Sequence, residues 1–105
     1  MSAQKKLIRQ KFRDSVLKRD RSRCVFCKAT DNIDIHHITD RTLMPAGGYV
    51  KENGIALCPL HMAMAEKFDQ SDGEASVELF NPAQLYRKVG SSYDKAVAAS
   101  QRLER

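Results

Sequence analysis

The chain has 105 residues, of which 42% are hydrophobic and 30% are charged, and it contains no tryptophan. A chain of this length forms one domain that buries only about 60 to 65% of its unfolded surface, so a bound metal would add stability. No apolar run approaches the roughly 18 residues of a membrane span, and residues 1–13 lack the apolar segment of a secretory signal. We therefore expect a cytoplasmic protein that makes no membrane contact.

Positive charge is concentrated in the amino-terminal third of the chain. Residues 1–28 hold ten lysines and arginines against two aspartates, a net charge of +8, whereas residues 29–105 hold eight against eleven acidic residues, a net charge of −3. This asymmetry is typical of a protein that approaches phosphate groups from one side. A solvated helix face would give the same pattern, so charge alone does not decide between them.

Apolar residues recur at helical spacing from Leu7 to Leu17 and predict an amphipathic helix over residues 4–19. Residues 20–32 read as a turn and a polar connection. Residues 33–38 then alternate apolar and polar in the manner of a half-buried strand, with His36 and His37 at its end. The glycine-rich and proline-containing stretch 39–52 predicts a long loop, and long loops in small domains are often functional.

The second half of the chain predicts a short strand and three helices. Asn53-Gly54 marks a turn into an apolar strand at 55–57, and Pro59 opens a helix to about residue 68. Asn81 caps a helix from 82 to about 89, and a serine at 91 or 92 caps a last helix to about 103. These carboxy-terminal helices carry no cluster of reactive residues, so we expect them to pack against the core or a partner.

Two pairs of metal-ligand residues stand thirty residues apart. Cys24 and Cys27 form one pair and Cys58 and His61 the other, each with the two-residue spacer that lets both side chains reach one ion. Three cysteines cannot all pair as disulfides, whereas one structural zinc ion uses all three together with the histidine. The alternative is three buried free thiols, which the paired spacing disfavours.

Several residues along the chain stand in order around and within these pairs: Arg13, Val16-Leu17, Arg19-Asp20, Cys24, Cys27, His36-His37, Asn53 and Leu57-Cys58. Together they resemble the HNH endonucleases, members of the ββα-metal (His-Me finger) nucleases, in their zinc-bound subgroup. The resemblance covers residues 12 to about 66. It implies an α+β fold with a small zinc-stapled ββα-metal core at about 12–68, within a single HNH nuclease domain spanning 1–105. A basic amino-terminal helix and a carboxy-terminal helical extension at about 81–104 complete that domain.

The resemblance implies hydrolysis of DNA phosphodiester bonds with a catalytic Mg²⁺ or Mn²⁺ ion. In that family the positions of His37 and His36 are the general base and a ligand of the catalytic metal, and the position of Asn53 holds the long loop and orients the base. Imidazole suits a base because its pKa of about 6.5 leaves the neutral form abundant at pH 7. Asn-Gly is also a common turn, which needs no active site. Neighbouring strand residues point to opposite faces, so both histidines serve one site only where the strand ends.

One position departs from the family pattern. The helix usually reads Cys-x-x-Cys-His, whose final histidine binds the catalytic metal, but this chain has His61-Met62, and a thioether does not suit Mg²⁺. In one explanation His61 completes the zinc site and Glu66, one helical turn after Met62, binds the catalytic ion. In another, His61 turns into the active site and zinc keeps three cysteines. In a third, the site has lost its activity.

The sequence predicts phosphate contacts with weak sequence specificity, since no base-reading helix of a known type is present. The cations expected to make them are Lys5, Lys6, Arg9, Lys11, Arg13, Lys18, Arg19, Arg21 and Arg23. Arg41 lies in the loop after the histidines and is either a contact to the scissile phosphate or an ordinary exposed arginine. Two other functions remain open: a zinc-dependent DNA-binding module without hydrolysis, and an accessory subunit of a nucleic-acid-processing complex that docks through its carboxy-terminal helices.

Overall fold

Four α-helices and a two-stranded antiparallel sheet make up the part of the chain that the computed structural model describes, residues 3–103. The elements are α1 (Ala3–Asp20), β1 (Asp34–His37), β2 (Gly54–Leu57), α2 (Pro59–Gln70), α3 (Pro82–Lys88) and α4 (Tyr93–Arg102). In the sheet, Ile35 lies opposite Ala56, and His37 lies opposite Gly54. The predicted α+β class is confirmed, and each predicted helix and strand is found within about two residues of its expected bounds.

The connection between β1 and β2 is more ordered than the long loop that the sequence predicted. It folds into three short 3-10 turns at Arg41–Leu43, Pro45–Gly48 and Lys51–Asn53. Gly48 has a φ of +68°, and a Cβ atom there would lie 2.5 Å from Nδ2 of the Asn53 side chain. Glycine is therefore required at this position, both for its backbone conformation and for the close approach of Asn53.

Helix α1 lies against the sheet through its second half only. Phe12 and Val16 are buried, and a Cβ atom on Gly54 would come within 2.6 Å of the Val16 side chain, so this glycine lets the helix rest directly on β2. The predicted apolar stripe is not buried along its whole length, because Leu7 is 50% exposed. The first turns of α1 thus present their lysines and arginines to solvent.

A pair of charged residues at the end of α1 fastens this helix to the second strand. Arg19 donates to the carbonyl oxygens of Lys51 and Gly54 at 2.6 Å, and its other contacts are two hydrogen bonds of 2.8 Å to the Asp20 carboxylate. Asp20 in turn accepts from the Ala56 amide at 2.9 Å. The sequence placed Arg19 among the phosphate-binding cations, but its guanidinium is engaged within the fold.

The carboxy-terminal helices share one core with the sheet and α2. This core contains Cys24, Ile38, Met44, Ile55, Leu57, Cys58, Ala65, Phe80, Leu85, Tyr86 and Ala96. Asn81 caps α3 through the Gln84 amide, Ser92 caps α4 through the Lys95 amide, and α4 packs on two of the 3-10 turns. The carboxy-terminal helices α3 and α4 therefore pack against the core. None of the helices within residues 3–103 combines the length and the apolar character that a membrane span requires.

Candidate functional site

The four predicted zinc ligands come together in the folded chain. One donor atom from each of Cys24, Cys27, Cys58 and His61 lies within 4.8 Å of every other. Cys27 Sγ is 3.7 Å from Cys58 Sγ, and His61 Nδ1 is 3.4 Å from Cys24 Sγ and 3.2 Å from Cys58 Sγ. Ligands around a tetrahedral zinc ion are about 3.8 Å apart for two sulfurs and about 3.6 Å for sulfur and nitrogen. The cluster therefore fits a metal ion such as zinc.

The surroundings of the cluster suit thiolate ligands and a fixed imidazole. Burial raises the pKa of the Cys24 thiol, but backbone amides of Cys58, Cys27 and Phe26 outweigh it and lower the pKa to about 6. The His61 ring packs against Phe26 and Phe80, at centroid distances of 5.5 and 5.7 Å, and these two rings also contact each other. His61 thus belongs to the cysteine cluster. This placement excludes the arrangement in which it turns into the active site.

The cluster joins two parts of the chain that flank the sheet. Cys24 and Cys27 follow α1, and the Val25 amide between them donates to the carbonyl oxygen of Ala56 on β2 at 3.2 Å. Cys58 is the first residue after β2 and the N-cap of α2. A metal ion held here would pin the end of α1, the end of β2 and the start of α2 together.

The two adjacent histidines line one cleft of about 320 Å³ beside β1 and α2. Its walls are formed by Asp34, Ile35, His36, His37, Asp40, Arg41, Met62, Glu66 and Asp69. His37 is the last residue of β1, so the strand ends where both imidazoles reach the cleft. This is the condition that adjacent strand residues must meet to serve one site.

His36 is buried and electrically neutral at physiological pH. It is 7% exposed, and burial together with the nearby His37 lowers its pKa to about 4, against a smaller opposing effect of Asp40. Its Nε2 atom lies 3.9 Å from Oδ2 of Asp69. A neutral imidazole offers a lone pair to a metal ion, so His36 has the protonation state of a ligand.

Four carboxylates, those of Asp34, Asp40, Glu66 and Asp69, line this cleft together with His36. Burial raises the pKa of Asp69, and the charges of Asp40 and Glu66 raise it further. A divalent cation would relieve this repulsion. Two ligands of one Mg²⁺ ion at about 2.1 Å can be up to about 4.2 Å apart, so Asp69 and His36 lie within reach of one ion. Among residues 3–103, three or more metal-ligand atoms converge at the Cys24, Cys27, Cys58 and His61 cluster, and in the histidine cleft the close pair is His36 and Asp69.

The sequence predicted only Glu66 of these carboxylates and missed Asp34, Asp40 and Asp69. Asp69 follows Met62 by seven residues, which places it two turns further along the same face of α2. Met62 itself lines the cleft, at the position where the HNH pattern has a histidine. The spacing 62, 66, 69 was the available signal for Asp69. Asp40 is three residues after His37 in the loop, and no sequence rule distinguishes it.

His37 packs against two aromatic side chains that also contact each other. Its ring stacks on Phe12 at a centroid distance of 4.8 Å and meets Tyr49 edge to face at 4.9 Å. Burial and then the positive charge of Arg41 lower the pKa of His37, while Asp40 partly opposes them. The Nε2 atom of His37 is buried and has no hydrogen-bond partner among residues 3–103. His37 is therefore a neutral imidazole with one nitrogen enclosed.

Tyr49, which the sequence did not single out, connects the cationic side chains to His37. Arg41 Nη1 donates to the Tyr49 hydroxyl at 3.2 Å, and the guanidinium carbon of Arg9 lies 5.4 Å from the Tyr49 ring centroid. Arg41 is exposed and lines the cleft. Two predicted phosphate-binding arginines thus meet at one aromatic residue beside the predicted base.

Asn53 is fully buried and has all of its side-chain hydrogen-bonding groups satisfied. Its Oδ1 accepts from the Thr39 amide at 2.9 Å and from the Tyr86 hydroxyl at 2.8 Å. Its Nδ2 donates to the carbonyl oxygens of Thr39 at 3.1 Å and Gly48 at 3.3 Å. These bonds tie the start of the connection to its middle and to α3, which agrees with the loop-holding role that the resemblance implies.

The remaining predicted cations are distributed over α1 and the turn that follows it. Lys5, Lys6, Lys11 and Lys18 are exposed, as is Arg21, and Arg23 is half-buried. Arg13 is also exposed and pairs with Asp34 on β1 at 2.9 Å. These cations are spread over two parts of the chain. Those before Gln10 are on the first turns of α1, whereas Arg21 and Arg23 follow the end of that helix.

Comparison of the chain with protein-family models, with curated proteins and with solved structures gave no match in any of the three. The resemblance to the HNH endonucleases therefore rests on the sequence of this chain alone.

Proposed function

We propose that this protein is an HNH-type endonuclease that hydrolyses DNA phosphodiester bonds in a ββα-metal fold stapled by zinc. One observation carries the proposal: His36, His37 and four carboxylates line one cleft, and a Cys₃His cluster joins the elements on either side of it. The order of β1, the connection, β2 and α2 is the order that the family motif requires.

His37 is the proposed general base. Its pKa lies below that of free imidazole, so the base form predominates at pH 7. Because Nε2 is enclosed, Nδ1 is the ring nitrogen left to accept the proton of an attacking water. Phe12 and Tyr49 fix the plane of the ring, so the imidazole is oriented before substrate arrives. A base held in position in this way contributes typically 10² to 10⁴-fold to a rate.

His36 and the carboxylates of Asp69 and Glu66, with Asp40 nearby, would hold the catalytic Mg²⁺ or Mn²⁺ ion. When bound, such an ion neutralises charge on the scissile phosphate and on the leaving oxygen. The carboxylates of α2 take the place of the imidazole that Met62 replaces. Cys24, Cys27, Cys58 and His61 would hold the structural zinc ion, whose contribution is to the fold.

The substrate side of the proposal rests on charge. Arg41 and His37 both line the cleft, and the lysines of α1 are exposed, so phosphate contacts at the cleft and on α1 would bind the DNA backbone. Contacts of this kind carry little sequence information, because every phosphate looks alike. The expected specificity for sequence is therefore weak.

A second function is favoured by one observation. Met62 lines the cleft where the family pattern has a metal-binding imidazole, and a protein that had lost hydrolysis would keep its zinc cluster and its cations. Such a protein would be a zinc-dependent DNA-binding module or an accessory subunit of a nucleic-acid-processing complex. The two functions differ in whether DNA is cut.

Incubation of supercoiled plasmid with zinc-loaded protein and Mg²⁺ or Mn²⁺ tests the proposal. Wild type should convert the plasmid to nicked or linear forms, and His37→Ala of equal zinc content should be slower by at least 10²-fold. Equal slow conversion by both proteins would mean that His37 is not the base. DNA binding without conversion in any divalent ion would select the second function, and no binding at low salt would select the accessory subunit.

A further inference from the structure

A second cleft, of about 350 Å³, lies between the end of α1, the turn with Cys24 and Cys27, and the end of α3. It is lined by Arg19, Asp20, Arg21, Arg23, Val25, Lys28 and Lys88. It shares no residue with the cleft that holds the histidines. Neither Lys28 nor Lys88 is among the phosphate-binding cations that the sequence predicted.

The charge of this cleft is positive and largely uncompensated. Asp20 is its one carboxylate, and that group is already neutralised by Arg19 and bound to the Ala56 amide. The other four charged side chains are Arg21, Arg23, Lys28 and Lys88, and none of them takes part in the ion pairs formed within residues 3–103. Like charges brought together without counter-charges repel each other, so such a cleft attracts a polyanion.

The fold holds these cations in place from three separate segments. Arg21 and Lys28 have φ values of 61° and 67°, a left-handed backbone that ordinary residues seldom adopt. The backbone amide of Lys28 donates to the Cys24 carbonyl at 2.9 Å, which ties the backbone of Lys28 to the turn that carries the cysteines. The ammonium of Lys88 lies 5.1 Å from the Phe26 ring centroid. The cations thus converge because the chain folds that way, and they are not neighbours on one helix face.

We infer that this cleft binds phosphate groups of a nucleic acid backbone at a point separate from the histidine cleft. The inference rests on the proposed function for the identity of the polyanion as nucleic acid. Guanidinium and ammonium groups are the side chains that bind phosphate, and successive phosphates of one strand can engage several of them together. A duplex held here and at the histidine cleft would be fixed in orientation as well as in position.

The test is binding of a fluorescently labelled duplex by anisotropy over a range of salt concentrations, with zinc-loaded protein and no Mg²⁺ or Mn²⁺. The cleft variant is Arg21→Gln/Lys28→Gln/Lys88→Gln. The control variant is Lys67→Gln/Lys95→Gln/Arg102→Gln, which removes the same charge from exposed positions outside both clefts. The cleft variant should bind at least tenfold more weakly near 0.1 M salt, with a salt slope smaller by about 2 to 3. The control should stay within about twofold of wild type.

Equal weakening by the two variants would overturn the inference, because only net charge would then matter. Inorganic phosphate supplies the second arm, followed by NMR shifts of the Lys28 and Lys88 amides. Shifts with inorganic phosphate but unchanged duplex binding by the cleft variant would also overturn it, since the cleft would then hold a small anion. Binding is measured without divalent ions, so a protein that never cuts DNA can still support this inference, and one that cuts DNA can still fail it.

Discussion

The hydroxyl of Tyr86 donates a hydrogen bond of 2.8 Å to Oδ1 of Asn53 and so joins α3 to the connection between the strands. The same hydroxyl lies 2.6 Å from Thr39 Oγ1. Burial raises the pKa of Tyr86 to about 12, so the phenol stays protonated over the whole working range and remains a donor. The carboxy-terminal helices thereby support the residue that orders the loop beside His37.

Removing that hydroxyl should destabilise the protein. Tyr86→Phe keeps the ring in the core but leaves Asn53 Oδ1 with the Thr39 amide as its remaining donor, so we expect a loss of about 1 to 2 kcal/mol in the free energy of unfolding, measured with urea. Tyr93→Phe is the control, since Tyr93 is 51% exposed and should change stability by less than about 0.5 kcal/mol. A Tyr86→Phe protein as stable as wild type would show that this contact contributes nothing net.

Zinc removal should unfold the domain. A small domain gains its folding free energy partly from metal binding, so chelation should abolish the cooperative thermal transition, and added zinc should restore it. Cys58→Ser should bind zinc poorly and should not be rescued by added zinc. Elemental analysis should give one zinc ion per wild-type chain. A metal-free protein that keeps its melting temperature would contradict the structural role of the cluster.

Restoring the family ligand at position 62 should increase metal-dependent cleavage. Met62→His would place an imidazole in the cleft wall, one turn before Glu66, where it can reach an ion near His36. We expect faster plasmid conversion at low Mn²⁺ concentration, by about tenfold. Leu60→His is the matched control, because Leu60 is 64% exposed and does not line the histidine cleft. Equal rates for the two variants would argue against an ion bound between β1 and α2.

Loss of the aromatic contacts of His37 should lower the rate of DNA cleavage more than it affects zinc binding. Tyr49→Leu removes the edge-to-face contact with His37 and the hydroxyl that receives the Arg41 hydrogen bond, whereas Tyr49→Phe removes the hydroxyl alone. We expect Tyr49→Leu to lower kcat by about tenfold or more and Tyr49→Phe to lower it only slightly. Zinc content should be the same in both. The reverse order of effects would mean that Tyr49 acts through Arg41.

Burial of His36 should make stability depend on pH. Its folded pKa of about 4 is below the unfolded value of about 6.5, so between these values the unfolded chain binds more protons and stability falls as pH falls. Between pH 7.5 and 5.5 the free energy of unfolding of wild type should fall by about 1 kcal/mol more than that of His36→Gln. Urea titrations of the two proteins measure the difference, in which any common loss of zinc cancels. Parallel pH profiles would contradict the buried neutral state of His36.

The sequence was informative wherever local rules decide the structure. Helical periodicity, the Asn81 and Ser92 caps and the paired zinc-ligand spacing predicted elements and a cluster that the structure contains. The glycine positions predicted a loop, but its three 3-10 turns depend on tertiary contacts, above all the Asn53 side chain that reaches Thr39 and Gly48. Propensity within the loop does not encode those contacts.

The candidate site was predictable in part. The two pairs of zinc ligands and the histidine pair are each short motifs, so spacing sufficed. The packing of the connection and of α2 against β1 brings Asp40 and Asp69 to the cleft and Tyr49 to His37, and no short motif joins these residues. The partial burial of α1 and the internal role of Arg19 also depend on the angle at which the helix meets β2. A count of charges along the chain cannot reveal either.

The environment of Asn53 also bears on the chemical lifetime of the protein. Asn-Gly sequences deamidate when the glycine nitrogen attacks the side-chain carbonyl carbon of the asparagine. Here the Gly54 amide donates to the Lys51 carbonyl, and the Asn53 side chain is immobilised by four hydrogen bonds, so the folded chain withholds both reactants from that cyclisation. Protein that has lost its metal and unfolded would deamidate at Asn53. The aspartate formed would place a carboxylate oxygen against the carbonyl oxygens of Thr39 and Gly48 and would block refolding.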